Sequence, residues 1–368
     1  MPIDDNPIPH RRKPNPPITI TIIANKSFGL IEPVSFIART SSFAVVLFKY
    51  LYLSFVFWYF SVATFLYPPL FTVPMLLGKH VLDEKEVHSL IADIKQKKEL
   101  RELSDDFVHD RLFKYLQKNH KAATFLLQAH SPKSSRYKSI IKAVRAELRT
   151  VTGLFQLENG PAERQKLLAQ LLKGAPLLPT VAKIVQTHAS TKERLPFYRE
   201  LYLKIFAQTG IPQTIIDFGC GLNPFSIPYM AVGNLKYYAY DIAEGEIASL
   251  KQFFRWLHRQ NPAFVGSAEV LDLLHWVKLK ELVKADICFL FKMTDVLDRG
   301  KGYKVTEAVI KGVPAQWVVV SFPTLTMSGK KMNNPRRIWI ELMCQRLFYK
   351  FYILGFNNEM FYVIRKSR

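Results

Sequence analysis

Cysteine is scarce in this 368-residue chain: Cys220, Cys288 and Cys344 are far apart and form no CxxC pair. That argues against a disulfide framework and a thiolate zinc site, and no metal is expected. Reduced, buried thiols of a cytoplasmic protein are the simpler reading. Acidic residues are also in short supply, 30 against 51 Lys and Arg, which leaves a formal charge of +21. An enzyme of small metabolites has no need of such an excess, whereas a polyanion attracts it at long range. The alternative is plain solubility or a basic host proteome. No internal repeat is present, so solenoids are set aside.

What is present falls into three stretches. Residues 1–74 form an atypical extension, polar and Pro-rich as far as Pro17 and strongly apolar from Phe43 to Leu77. Tyr50 to Tyr67 is about long enough to cross a bilayer. Membrane association is therefore expected only through residues 43–77, as an anchor; the favoured alternative is a dispensable or misassigned extension before a start at Met75.

Residues 75–178 read as a helical, RNA-binding domain of four or five helices with no catalytic constellation of its own. Ile140, Ile141, Val144, Leu148, Val151 and Leu154 recur by threes and fours and make one apolar stripe. Lys138, Lys142, Arg145 and Arg149 lie on the other face, with Lys133 and Arg136 just before them. They form either an ordinary solvated surface or a basic ridge for phosphates. A further helix is expected from Pro161 to Gly174.

From residue 179 to 368, short apolar runs alternate with helical stretches: Gln213-TIIDFG, Lys236-YYAYDI, Ala285-DICFLF and Gln316-WVVVSF. This predicts an α/β fold with a mostly parallel sheet, closed by a pair of terminal strands near Phe351 and Glu359. In the loop Asp217-Phe-Gly-Cys-Gly-Leu-Asn-Pro-Phe225, Gly219 and Gly221 follow a buried strand and precede a helix beginning near Pro224. Glycine permits a tight turn and close ligand approach. A dinucleotide loop would carry a third glycine, and here Pro224 stands instead. The D-x-G-x-G form matches the methyltransferase version; a simple strand-to-helix turn is the alternative. Asp241, about 24 residues after Asp217, is close to the roughly 20-residue spacing of a ribose-binding acid. It could instead cap the helix that follows. Asp272 and Leu273 fall after a third strand, where such sheets hold adenine, or Asp272 caps a helix. Ser190 and Glu193 predict a capping box that starts a helix running to Gly210. Arg194 can still sit over the cofactor and pair with a carboxylate.

The set HASTKER, IDFGCGLNPF, YAYDI, FLFKM and SFPTLTMSGKK, in this order, resembles the aminoglycoside-resistance 16S rRNA (guanine-N7) methyltransferases, the Arm and Rmt enzymes. The resemblance runs from about Leu90 to the C-terminus and is strong from Val185. It implies a Rossmann-like class I methyltransferase core preceded by a helical domain. It further implies S-adenosyl-L-methionine as cofactor, and as partner 16S rRNA in the 30S subunit, methylated at a decoding-site guanine of the 1405 type. Arg194, Gly219 and Asp241, with Ile242 completing the YDI triplet, would bind the cofactor, and Asp272 and Leu273 would lie near adenine. Lys292, Ser321, Phe322 and Pro323 would face the target base, with Phe322 stacking on it or filling the core. Lys330 and Lys331 belong to a loop expected to meet RNA. The sequence departs from the family at Ala243-Glu244-Gly245 and in the loop after Pro323, which leaves the target nucleotide less defined than the cofactor.

Overall fold

The computed structural model describes residues 75–77, 80–128, 131–152, 160–273, 279, 281–298, 302–326 and 329–367. The extension 1–74, and with it nearly all of the candidate anchor, lies outside them, as does Leu154. Among the described residues no helix is long and apolar enough to cross a membrane. Thr72–Arg368 forms one compact unit.

A short antiparallel pair, β1 (Met75–Leu77) and β2 (His80–Leu82), leads into helices α1 (Glu84–Lys95), α2 (Asp105–Lys118), α3 (His120–Leu126) and α4 (Ser135–Thr152). The starts of α1 and α2 are set by side chains that accept otherwise orphaned amides. Asp83 takes the Glu86 N–H at 2.7 Å, and Ser104 takes the Phe107 N–H at 3.2 Å. Val87, Leu90, Ile91 and Ile94 of α1 meet Phe107, Val108, Leu112 and Leu116 of α2 in one core. Ile140, Ile141, Val144 and Leu148 of α4 complete it, so the predicted stripe is buried as far as its side chains are described. Helix α5 (Gly160–Leu172) ends before Gly174 as expected, but Leu167, Leu168 and Leu171 pack with the sheet and not with this helical core.

Helices α6 (Leu177–Val185), α7 (Ala189–Arg194) and α8 (Tyr198–Thr209) then lead to the sheet. Its strands are β3 (Thr214–Phe218), β4 (Leu235–Asp241), β5 (Phe264–Val270), β6 (Ala285–Phe291), β7 (Ala315–Pro323), β8 (Lys350–Gly355) and β9 (Glu359–Arg365), in the order β5-β4-β3-β6-β7-β9-β8. The first five run parallel, and β9 pairs antiparallel with both β7 and β8. The four predicted β-runs and the terminal pair are all strands. Alternate residues serve opposite faces. Ile215, Tyr237, Phe289 and Val319 join the core shared with α8 and α9 (Glu244–Gln260). Ile216, Cys288, Leu290 and Val320 join the one shared with α11 (Lys304–Gly312) and α12 (Ile338–Arg346), beyond the short α10 (Thr294–Asp298). All three cysteines are free and buried.

Three local expectations change. The segment after the glycine loop is a seven-residue 3-10 helix, Asn223–Tyr229, with Pro228 inside it. Pro224 suits the first turn, but Pro228 lacks the N–H that a longer α-helix needs. Ser190 is not a helix cap: α7 begins one residue earlier, after His188, and the Ser190 hydroxyl lies 3.1 Å from His188 Nδ1. The run to Gly210 is not one helix either: a 3-10 turn, Leu195–Phe197, with Pro196 in it, separates α7 from α8, and only the end at Gly210 (φ 79°) is as expected.

Candidate functional site

Strand order reverses at β3, since β4 extends the sheet on one side and β6 on the other. Ligands of open α/β sheets collect at the carboxyl ends of strands at such a reversal. A cavity of about 1030 Å³, its open mouth included, lies there. It brings together Arg194, Asp217, Gly219, Gly221, Asp241, Ile242, Asp272, Leu273 and Lys292, all singled out from the sequence.

The loop after β3 bends through two left-handed glycines, Gly219 (φ 58°) and Gly221 (φ 48°). A Cβ on Gly219 would stand 2.2 Å from Met293 Sδ, so the position has no room for one unless Met293 moves. The loop is tied twice to the end of β4: Cys220 N–H donates to Tyr240 O at 3.1 Å, and Gly221 N–H donates to Asp241 Oδ2 at 2.8 Å. The other Asp241 oxygen accepts from Ala243 N–H at 3.0 Å. Asp241 is thus not a helix cap; α9 starts three residues later with no side-chain cap. Its carboxyl is pushed up to about 6, chiefly by burial and then by Glu246, with the backbone donors opposing. Asp217 is also pushed up to about 6 by burial. It accepts from Asn223 Nδ2 at 3.0 Å and Tyr237 OH at 2.7 Å, which braces the loop from beneath. His188, in the same wall, is pushed down to about 3 by burial and the nearby Arg164 charge, so it is neutral at ordinary pH.

At the opposite end the charges satisfy one another. Arg194 Nε and Nη2 donate to Glu359 at 2.9–3.0 Å, and the guanidinium stands 4.9 Å from the Phe291 ring centre. Burial works against the Arg194 charge, but Glu359 outweighs it and holds the group above its ordinary range. Ser321 Oγ donates to Glu359 as well, and accepts the Lys292 N–H at 3.0 Å. Lys292, itself left-handed (φ 54°), pairs through Nζ with Glu193 and lies 3.6 Å from Glu359 Oε2. Glu359 is fully buried, and sequence reasoning assigned it no role in the site. A carboxylate heading an otherwise apolar strand was the available signal.

Other residues are placed differently from expectation. Phe322 is 1% exposed and does not line the cavity. It shares strand parity with Val318 and Val320, so its ring meets Trp339 and Tyr362 edge-on, with Arg337 over it at 5.3 Å. It is a core residue, and no stacking on a base follows. Ser321 is buried behind the cavity wall, and Pro323 O accepts from Arg337 Nη2 at 3.4 Å. Lys330 and Lys331 are exposed on a turn closed between Thr324 and Met332. On the basic ridge Lys138 and Lys142, like Lys133 before them, are exposed. Arg145 donates to the Ile94 and Asp93 carbonyls at the end of α1, and Arg149 pairs with Glu99 at 2.7 Å. Among the described residues no His, Cys, Asp and Glu cluster could hold a metal.

The helical segment also reaches the cavity, which the sequence did not suggest: Leu103, Phe107 and Arg111 line it opposite the strand ends. Arg111 Nη2 is 3.2 Å from Asp272 Oδ2.

The family described as ribosomal RNA methyltransferase (FmrO) matches residues 129–362. The chain belongs to that family. A 16S rRNA (guanine(1405)-N(7))-methyltransferase of Proteus mirabilis is 29% identical over 199 residues, covering 50% of this chain and 64% of the relative. One of Micromonospora rosea is 32% identical over 190 residues, covering 50% and 65%. The chain thus spans just under two thirds of the length of these relatives. The 16S rRNA methyltransferase RmtF, solved with S-adenosyl-L-homocysteine, superposes with a TM-score of 0.60 at 23% identity, covering 78% of this chain and all of RmtF. For the methylase RmtB the TM-score is 0.57 at 21% identity, covering 76% and 98%. These likenesses show the fold: a Rossmann-like methyltransferase core preceded by helices.

Proposed function

We propose that this FmrO-family chain is an S-adenosyl-L-methionine-dependent methyltransferase that modifies guanine N7 in the decoding-site helix of 16S rRNA, at a position of the 1405 type, within the 30S subunit. The observation that carries the cofactor is the conjunction of the Gly219–Gly221 cradle with Asp241 in one cavity. The residues fit the group. A Cβ would fill the cradle at Gly219, and each Asp241 oxygen, held by one amide, keeps acceptor capacity for a ribose hydroxyl. Arg194 would hold the methionine carboxylate, with its guanidinium aimed by Glu359. The acceptor and its position rest on family membership and on the relatives named above. The +21 charge suits that acceptor.

Guanine N7 carries a free lone pair, so no proton has to be removed before methyl transfer. When bound, the cofactor supplies a methyl group on a sulfonium. The chain's task is then alignment and exclusion of water. Lys292, locked by Ser321, Glu193 and Glu359 at the tip of β6, orients the target side of the cavity. We further propose the division into residues 75–178 for RNA docking, with Lys138 and Lys142 meeting phosphates alongside Lys330 and Lys331, and 179–368 for methyl transfer. A cytoplasmic location follows from a ribosomal substrate.

The test is incubation of 30S subunits with labelled cofactor and mapping by primer extension after borohydride and aniline treatment. A stop at the decoding-site guanine, accompanied by aminoglycoside resistance in an expressing host, is the expected result. Incorporation into naked or other RNA only would overturn the substrate; no cofactor binding by calorimetry would overturn the activity.

A further inference from the structure

We infer that Arg111, on a helix of the N-terminal layer, sets specificity for the adenine ring of the cofactor by fixing the carboxylate of Asp272, while Phe107 on the same helix supports the ring as an apolar plate without telling one purine from another. This rests on the cofactor reading above and extends it to residues outside the methyltransferase core.

The helical layer is fastened to the rim of the cavity. Leu103 and Ala243 form an antiparallel bridge two residues past Asp241. Ser104 N–H donates to Ile242 O at 3.1 Å, and Glu244 N–H donates to Glu102 O at 2.7 Å. Side chains reinforce the join. Arg164 reaches Glu246 at 3.1 Å and Glu102 at 3.4 Å, while a Cβ on Gly245 would lie 2.6 Å from Glu102 Cδ. Ile242 packs into the helical core rather than into the sheet. With α2 held there, Phe107 and Arg111, one turn apart, both face the cavity.

Their chemistry suits a purine. The Arg111 guanidinium lies over the Phe107 ring at 4.6 Å and reaches Asp272 at 3.2 Å, with Asp110 Oδ2 3.8 Å away. The Arg111 and Asp272 side chains are only 4% and 14% exposed, so neither charge is at liberty to swing away. An ion pair fixed in this way presents a carboxylate to the cavity in one orientation. An acceptor there matches an exocyclic amino group and repels a carbonyl oxygen at the same ring position. Phe107 supplies an apolar plate beside it.

The experiment compares S-adenosyl-L-homocysteine with S-inosyl-L-homocysteine, which carries oxygen in place of the 6-amino group, by calorimetry on the full chain. The wild type is expected to prefer the adenosyl compound by about tenfold or more. Arg111→Ala should weaken adenosyl binding by about tenfold and bring the preference within about threefold. Phe107→Leu should weaken both ligands alike. Leu112→Ala, on the same helix but inside the helical core, controls for folding: it should lower the unfolding midpoint and leave the preference intact. Full preference in a folded Arg111→Ala protein would overturn the inference, and so would an equal loss in Leu112→Ala. Failure of the wild type to bind either compound would instead strike the cofactor reading itself.

Discussion

The two ends of the cavity are built on opposite principles. Around Asp241 a carboxylate is held by the backbone amides of Gly221 and Ala243, with no ion pair to it among the described residues. Around Arg194 the side chains are spent on each other, through Glu359, Ser321, Lys292 and Glu193. The first end is poised to accept hydrogen bonds from a ligand, and its raised pKa is the cost of keeping it so. The second is a rigid frame whose members act mainly through one another. Substitutions should therefore damage binding at the Asp241 end and folding at the Arg194 end.

The largest effect is expected from Glu359→Ala. It leaves the Arg194 charge buried, with its side chain 2% exposed and its principal partner gone. Breaking one side of a buried pair costs about 3–5 kcal/mol. Urea unfolding followed by circular dichroism measures it, and a loss below about 1 kcal/mol would mean the frame is not rigid.

Asp241→Asn comes next, and it sharpens the contrast because its cost should fall on the ligand. Losing charge-assisted hydrogen bonds is expected to lower affinity for S-adenosyl-L-methionine by about 1.5–3 kcal/mol, while the unfolding midpoint stays level or rises. The folded carboxyl sits near 6, above the ordinary value of 3.8, so ionising it in the folded state is unfavourable. Stability from this group is fullest below the lower value and declines as pH rises toward the higher one. Binding runs the other way: affinity should be level above pH 7 and fall as pH drops through about 6. Asp217 is also raised to about 6, so the Asn variant should flatten this profile only in part. A profile unchanged by the substitution removes Asp241 from the ligand. Gly219→Ala is smaller, about 1–2 kcal/mol from the left-handed backbone, and should weaken cofactor binding because Met293 must move. Equal affinity in the Ala variant would mean that the cradle is wider than it looks.

The same contrast governs what was legible in the sequence. The open end was, because its signals are local: apolar runs that must be strands, glycines at positive φ, and a spacing that carries Asp241 to the next strand end. Arg194, Ser321 and Lys292 were legible as site residues, but the contacts that make them a frame were not, nor was the roof that Phe107 and Arg111 form over the cavity. Glu359 meets Arg194 across 165 positions, and Phe107 and Arg111 read as ordinary residues of an amphipathic helix until α2 is laid over the strand ends. Arg145 looked like a phosphate ligand because only the packing of α4 beside α1 reveals carbonyls within its reach. Phe322 was misplaced for a different reason. Strand parity with Val318 and Val320 was readable, but the resemblance drew it toward the base.

The smallest effect carries the comparison to the surface, where Lys142 and Arg145 sit one turn apart on α4. Lys142 is exposed, while Arg145 is pinned to the Ile94 carbonyl at 3.1 Å. Lys142→Ala should weaken 30S binding only a few-fold, and lower the slope of log affinity against log salt by about 1 if it neutralises a single phosphate. Its unfolding midpoint should not move. Arg145→Ala should reverse the pattern, losing about 1 kcal/mol of stability with the helix-end contact and leaving the salt slope alone. Filter binding of both variants across a salt series, beside their melting curves, checks this. Equal salt slopes for the two would mean that Arg145 releases α1 to meet RNA, and the ridge would then act as the four-residue unit that its spacing suggests.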